Sequence, residues 1–248
     1  MAVEITTLEI FYGSFTLVSV VISTILGLFI AIKYMQYKKR DFLVVGLTWV
    51  LLASPYWPDA IQFLTIMIFR QQINSILYFF LANAFIAPIH ITWIIALTDF
   101  LYRKQQKKII AFFGTEAIIF EIVFIVVFIL NPTIIGDQKS VFVVEWAIWI
   151  QIYLLLSIAL FLITGFLFAR ESLKSDNSEL KLKGKFLIIA FISFTIGTVI
   201  DVIGADNPTE ITIFLARTFV IISSICFYFG YTLPKFIKEL FIKESVHD

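Results

Sequence analysis

The sequence predicts an all-α integral membrane protein, a bundle of seven transmembrane helices with the N-terminus outside, the C-terminus in the cytoplasm and a short amphipathic helix at the C-terminal end. Three observations predict this fold. Apolar residues make up 60% of the chain and mean hydropathy is +0.96, whereas soluble domains are roughly 45–50% apolar. The apolar residues are grouped into long segments. Basic residues are concentrated in every second connection between those segments.

A helix needs about 20 apolar residues to cross a hydrocarbon core of about 30 Å. Segments of this kind lie at 9–35, 42–68, 73–102, 109–131, 141–169, 185–205 and 209–232. Helices are expected because a spanning chain has to satisfy its own backbone polar groups. A membrane barrel would instead show short strands of alternating polarity. Residues 1–233 therefore form one bundle domain, and residues 234–248 form a separate juxtamembrane segment.

The orientation follows from the distribution of charge. All of the 19 Lys and Arg residues except Arg70, Lys139 and Arg217 lie in or beside alternate connections. Because cytoplasmic loops carry an excess of Lys and Arg, these connections are predicted to face the cytoplasm of a multi-pass protein of the plasma membrane. The net charge of only +1 predicts no nucleic-acid partner.

Three prolines are predicted to interrupt helices. Pro55 and Pro58 lie within the second segment, and Pro88 lies in the middle of the third. Proline removes a backbone donor and kinks or breaks a helix. We therefore expect breaks that help to shape a cavity.

Ionisable residues inside the apolar segments are costly and by default indicate function or a buried pair. Arg217 is the basic residue that departs most clearly from the charge pattern, and Asp201 is its expected partner because the last two segments form a helical hairpin. The predicted ligand-binding residues of an outward-facing polar and aromatic cavity are Arg217, Asp201, Glu145, Trp149 and Asp59. The alternative is a purely structural bridge between Arg217 and Asp201, with tryptophans in an interfacial belt.

A second pair of ionisable residues is predicted near the membrane midplane. His90 and Glu121 lie at similar distances from the connection that joins the third and fourth segments. Histidine titrates near neutral pH, so the two residues are candidates for a proton relay or switch. The alternative is a hydrogen bond that holds the two helices together.

Motifs of enzymes and cofactor sites do not occur in the sequence. It contains no HExxH, GxGD or GxSxG, and Cys226 is the only cysteine, so no catalytic residue, metal site or cofactor is predicted. The topology resembles that of rhodopsins and G-protein-coupled receptors. The segment 209–232, however, has no lysine for a retinal Schiff base and no NPxxY motif.

The C-terminal segment combines Phe236, Ile237, Leu240 and Phe241 with several lysines, which predicts a helix lying in the membrane interface and contacting lipids. Together these features favour a receptor-like or sensory protein that binds a small ligand or ion and has a cytoplasmic signalling partner or forms a homo-oligomer. The alternatives are a small-solute transporter or proton-linked channel that uses His90, Glu121 and Arg217, and a structural subunit.

Overall fold

The computed structural model describes residues 4–204 and 208–242. Within these ranges it is an α-helical bundle with one small β-hairpin and 3₁₀ turns at Ser54–Tyr56 and Pro132–Ile134. The helices are α1 (Thr7–Tyr37), α2 (Arg40–Leu52), α3 (Trp57–Phe69), α4 (Ser75–Asn83), α5 (Ile86–Phe100), α6 (Gln106–Leu130), α7 (Ile148–Lys174), α8 (Ser178–Gly204), α9 (Glu210–Thr232) and α10 (Lys235–Phe241). The strands β1 (Gly136–Gln138) and β2 (Val144–Trp146) pair in antiparallel register.

Six helical stretches among the described residues are long and apolar enough to cross a membrane: α1, α4 together with α5, α6, α7, α8 and α9. The predicted class of an all-α membrane bundle is therefore supported. Helix α6 illustrates the apolar exterior, because Ile118, Ile122 and Ile129 on its surface are more than half exposed while Phe120 and Phe124 are buried. Such a surface is stable where the surroundings are as apolar as the side chains.

The predicted proline breaks are present. The second apolar segment is divided into α2 and α3 by the 3₁₀ turn at Ser54–Tyr56, which contains Pro55, and Pro58 lies in the first turn of α3. The third segment is divided between Asn83 and Ile86, with Pro88 in the first turn of α5. Proline is tolerated in a first turn because its missing N–H has no partner inside the helix.

The predicted fifth segment, 141–169, is wrong at its start. The apolar run at 141–146 belongs to the β-hairpin, and the helix begins only at Ile148. The hairpin is held by pairing of Gly136 with Trp146 and of Gln138 with Val144. A short run rich in valine and aromatic residues suits a strand as well as a buried helix. Here the backbone N–H groups of Lys139 and Ser140 donate to the carbonyl oxygen of Val143 and close the turn of the hairpin.

Close helix contacts hold the bundle together. A Cβ added at Gly46 of α2 would lie only 2.5 Å from a backbone nitrogen of α1, so these two helices touch backbone to backbone. In the core, the rings of Trp49 and Phe227 stack with centroids 3.8 Å apart. These contacts place α2 against both α1 and α9.

The two ends of the bundle differ in charge. At the basic end, where the Lys- and Arg-rich connections lie, Arg40 pairs with Asp99 at 2.6 Å and the hydroxyl of Tyr231 donates to Asp41 at 3.0 Å. The opposite end carries the β-hairpin, and we call it the hairpin end.

The C-terminal segment forms α10 as far as Phe241, with Ile237 buried and Phe236, Leu240 and Phe241 exposed. The remainder of the predicted juxtamembrane segment, from 243 to 248, lies outside the described residues.

Candidate functional site

A cavity of about 250 Å³ opens inside the hairpin end of the bundle. Its walls come from the α2–α3 junction and from α1, α4, α5, α7, α8 and α9, and β2 with the turn before it contributes Phe142 and Trp146. The hairpin is fastened over this region, because the side-chain amide of Gln62 on α3 donates to the carbonyl oxygen of Val141 and the rings of Tyr12 and Phe142 stack. The cavity is therefore capped by the segment that was predicted to be helical.

Arg217 of α9 lies at the edge of this cavity and is only 1% exposed. Its guanidinium donates to Asp201 at 2.5 Å, to Thr16 at 2.8 Å and to the hydroxyl of Tyr12 at 3.1 Å. It also lies against the ring of Tyr56, 4.5 Å from the centroid. Both the charge and the flat faces of the guanidinium are therefore covered by the protein itself.

A second carboxylate, that of Asp59 at the start of α3, belongs to the same network. It accepts hydrogen bonds from the hydroxyls of Tyr12, at 3.1 Å, and Tyr78. The hydroxyl of Tyr56 donates to Asp201 at 2.8 Å. Buried carboxylates need donors to offset their loss of hydration, and here phenols supply them. We refer to Arg217, Asp201, Asp59, Tyr12, Tyr56, Tyr78 and Thr16 as the arginine cluster.

The structure brings together three of the five predicted ligand residues, Arg217, Asp201 and Asp59. Glu145 lies instead on β2, 66% exposed and paired with Lys139 at 3.0 Å. Trp149, in the first turn of α7, donates its indole N–H to the carbonyl oxygen of Ile134. Glu145 lies apart from the cavity because the predicted helix begins only after it and the hairpin turns its carboxylate to the surface. The indole N–H of Trp149 is already engaged by the backbone.

Lys139 has an environment of its own on the hairpin. Hydrogen bonds to Asp137 and Glu145 raise the pKa of Lys139 above its ordinary value, because both carboxylates favour the charged ammonium. The lysine ties the two strands together through their acidic side chains.

Sequence reasoning missed the three tyrosines of the arginine cluster. Tyr12 is on α1, Tyr56 is in the turn between α2 and α3, and Tyr78 is on α4. Their signal in the sequence is weak, because tyrosines near a membrane surface usually belong to an aromatic belt. Only their convergence on two carboxylates distinguishes them.

The predicted contact between His90 and Glu121 is wrong. His90 contacts Glu116 instead, with its Nδ1 3.1 Å from Oε2. Glu116 shares a face of α6 with Phe120, one turn further along, and Phe120 packs on Tyr153. Glu121 lies five residues beyond Glu116, which turns it well away on a helix of 3.6 residues per turn. One carboxylate oxygen of Glu121 is buried without a hydrogen-bond partner among the described residues.

The hydrogen bonds around His90 leave one proton shared. The Ser157 hydroxyl donates its hydrogen to the carbonyl oxygen of Tyr153 at 2.7 Å. The imidazole Nε2 lies 2.8 Å from the Ser157 hydroxyl oxygen, so Nε2 carries a hydrogen and donates it to that oxygen. Nδ1 faces Glu116 at 3.1 Å and the hydroxyl of Tyr153 at 3.4 Å, and a hydrogen on either the imidazole or the carboxyl group would complete the contact with Glu116. The pair of His90 and Glu116 therefore has two protonation arrangements available.

Both groups of ionisable residues open onto the same cavity, because His90 and Ser157 line it together with Asp59 and Asp201. The sequence predicted two groups at separate depths, which only the transporter or channel alternative joined in one path. Within the described residues there is no group of three His, Cys, Asp or Glu side chains arranged to hold a metal ion.

The fold and the cavity define a helical membrane bundle with a buried polar site. Comparison with protein-family models and with curated proteins finds no match to this chain.

Proposed function

We propose that the chain is a receptor-like or sensory membrane protein that binds a small ligand in the cavity beside the arginine cluster. The observation that carries the proposal is the cavity itself, a largely apolar and aromatic space with a few convergent polar groups. That combination is typical of small-molecule sites. On this proposal the protein is not an enzyme and needs no cofactor.

The proposed topology has seven crossings, with the hairpin end outside. Helices α2 and α3 supply the seventh crossing between them, because α2 begins at the basic end and α3 contacts the hairpin at the other. The positive-inside rule supports a cytoplasmic basic end. We also propose a plasma-membrane location, contacts of α10 with membrane lipids, and a cytoplasmic signalling partner or a homo-oligomer at the basic end, with no nucleic-acid partner.

Topology can be tested by cysteine labelling in intact cells, in a Cys226→Ser background. An impermeant maleimide should label Lys139→Cys on the hairpin without cell lysis. It should label Lys107→Cys, at the basic end, only after lysis. The reverse pattern would overturn the orientation.

Ligand binding can be tested with a cavity-filling variant. Ile158 of α7 lines the cavity, whereas Ile163 on the same helix is 61% exposed on the surface. Small amphiphiles that stabilise the purified protein in nanodiscs should lose their effect in Ile158→Trp and keep it in Ile163→Trp. Equal effects in both variants would show that the ligands bind elsewhere.

A second candidate is a small-solute transporter or proton-linked channel. It is favoured by the His90–Glu116 pair, which places a shared proton between the cavity and a carboxylate that is 33% exposed. On this candidate the proton path uses His90, Glu116 and Arg217, with Glu116 in place of the Glu121 predicted from the sequence. Proteoliposomes that contain a pH-sensitive dye should show proton flux that His90→Gln abolishes and Glu121→Gln leaves intact. Absence of flux in the wild-type protein would remove this candidate.

A further inference from the structure

The polar wall that the arginine cluster presents to the cavity is acidic, although its most conspicuous residue is an arginine. The side chain of Arg217 is 1% exposed, and its three nitrogens all donate to protein oxygens. The side chain of Asp201 is 24% exposed and lines the cavity. Arg217 borders the cavity as well, but because its nitrogens are already engaged, a polar group of a ligand finds its partner in the carboxylate of Asp201.

The balance of charge in the arginine cluster also favours a cation as the ligand. One guanidinium stands against two carboxylates, and among the described residues the second carboxylate, that of Asp59, accepts hydrogen bonds only from the hydroxyls of Tyr12 and Tyr78. Phenols donate hydrogen bonds but bring no positive charge. With both carboxylates ionised, the cluster has one negative charge in excess, and buried charge is costly unless it is compensated. A cation in the cavity would supply the compensation, whereas an anion would add to the repulsion.

The remaining walls suit an organic cation with an apolar body. Tyr56, Tyr78 and Trp93 present aromatic rings to the cavity, and Phe161 and Phe194 add apolar surface. Aromatic faces attract ammonium groups, while the apolar rings gain from covering a hydrocarbon body. The volume of about 250 Å³ lies below the range of about 300–1,000 Å³ of pockets for drug-sized ligands, so the ligand is small.

We infer that the cavity binds a small organic monoamine, with its ammonium group on Asp201 and Asp59 and its apolar body against Trp93 and Phe161. This inference rests on the proposed ligand-binding function and specifies the chemical class of the ligand. It also assigns Arg217 a positioning role, because the arginine orients Asp201 and does not itself contact the ligand.

The test compares three probes of nearly equal shape that differ in charge: 2-phenylethylamine, 2-phenylethanol and phenylacetate. Binding to the full chain in nanodiscs is measured by calorimetry at constant pH and ionic strength. The amine should bind at least tenfold more tightly than the alcohol, and phenylacetate should bind most weakly. Asp59→Asn, which keeps the pair of Arg217 and Asp201, should remove most of the preference for the amine. Glu145→Gln, on the exposed hairpin surface, should leave it unchanged.

The possible outcomes separate the two proposals. Equal binding of the three probes, or tightest binding of phenylacetate, would keep the cavity as a ligand site and overturn the monoamine class. An amine preference that survives in both Asp59→Asn and Asp201→Asn would also overturn it. If none of the three probes binds, both the monoamine class and the proposed ligand-binding function fall.

Discussion

The strongest quantitative prediction concerns the buried pair of Arg217 and Asp201. Replacing Arg217 by Met retains a long side chain but removes the charge, and it leaves Asp201 without its 2.5 Å partner. Breaking a buried ion pair from one side costs about 3–5 kcal/mol. Because Asp201 is 24% exposed and keeps the hydroxyl of Tyr56 as a donor, we expect the lower end, about 3 kcal/mol.

The assay is a double-mutant cycle of Arg217→Met and Asp201→Asn. Reversible unfolding in mixed micelles, followed by tryptophan fluorescence, gives the free energy of unfolding of each variant. The double variant should be more stable than Arg217→Met alone, because it no longer buries an unpaired carboxylate. We expect a coupling energy of about 2–3 kcal/mol, near the upper end of the range for groups in contact.

The control is the pair of Arg40 and Asp99 at the basic end, in which Arg40 is 61% exposed. Exposed pairs contribute about 0–1 kcal/mol, so the cycle of Arg40→Met and Asp99→Asn should give a small coupling energy. The reasoning would be refuted if the Arg217–Asp201 coupling were no larger than that of this control, or if Arg217→Met unfolded with the free energy of the wild-type protein.

Three further predictions concern packing and the hairpin. Gly46→Ala should lower the free energy of unfolding by about 1–3 kcal/mol through overpacking. Gly114→Ala should not lower it, because no atom beyond the local backbone of its own helix lies within 4 Å of the added Cβ. Equal effects would contradict the close contact of α1 and α2. Phe227→Ala should cost about 3–5 kcal/mol in the same unfolding assay, and a loss below 1 kcal/mol would contradict the core stack. Because the pKa of Lys139 is raised, its ion pairs contribute fully to the stability of the hairpin below the ordinary lysine pKa of about 10.4. This contribution is lost as pH rises through the raised pKa. NMR titration of ¹³C-methylated lysines should show a lower pKa for Lys139 in Glu145→Gln than in the wild-type protein. An unchanged pKa would refute the stabilising ion pair between Lys139 and Glu145.

The arginine cluster changes the interpretation of Arg217. In the sequence, this arginine is an exception to the charge pattern and therefore a candidate anchor for a ligand. In the structure its donors are satisfied by Asp201, Thr16 and Tyr12. On our proposal Arg217 holds Asp201 at the wall of the cavity. A basic residue therefore positions the acidic group that faces the ligand.

Some features of the site were predictable because they depend on neighbouring parts of the chain. The contact of Arg217 with Asp201 was predictable because the two residues lie on consecutive helices that form a hairpin. Residues of such helices that lie at the same depth in the membrane are brought close together. The breaks at Pro55 and Pro88 follow from the missing backbone donor. Depth alone failed for His90, because Glu116 and Glu121 differ mainly in their direction around α6.

Composition, segment length and the positions of charges determine that this chain is a helical membrane bundle. The reason is that every segment that crosses lipid has to be apolar and has to satisfy its own backbone hydrogen bonds. The tertiary structure alone decided which residues meet. Tyr12, Tyr56 and Tyr78 come from three separate elements, and their hydrogen bonds to Asp59 and Asp201 depend on how those elements rotate and pack. In the same way, the β-hairpin over the cavity depends on local pairing that an apolar run of residues does not specify. The physical reason is that hydrophobicity acts without direction, whereas hydrogen bonds and ion pairs require particular atoms at particular distances.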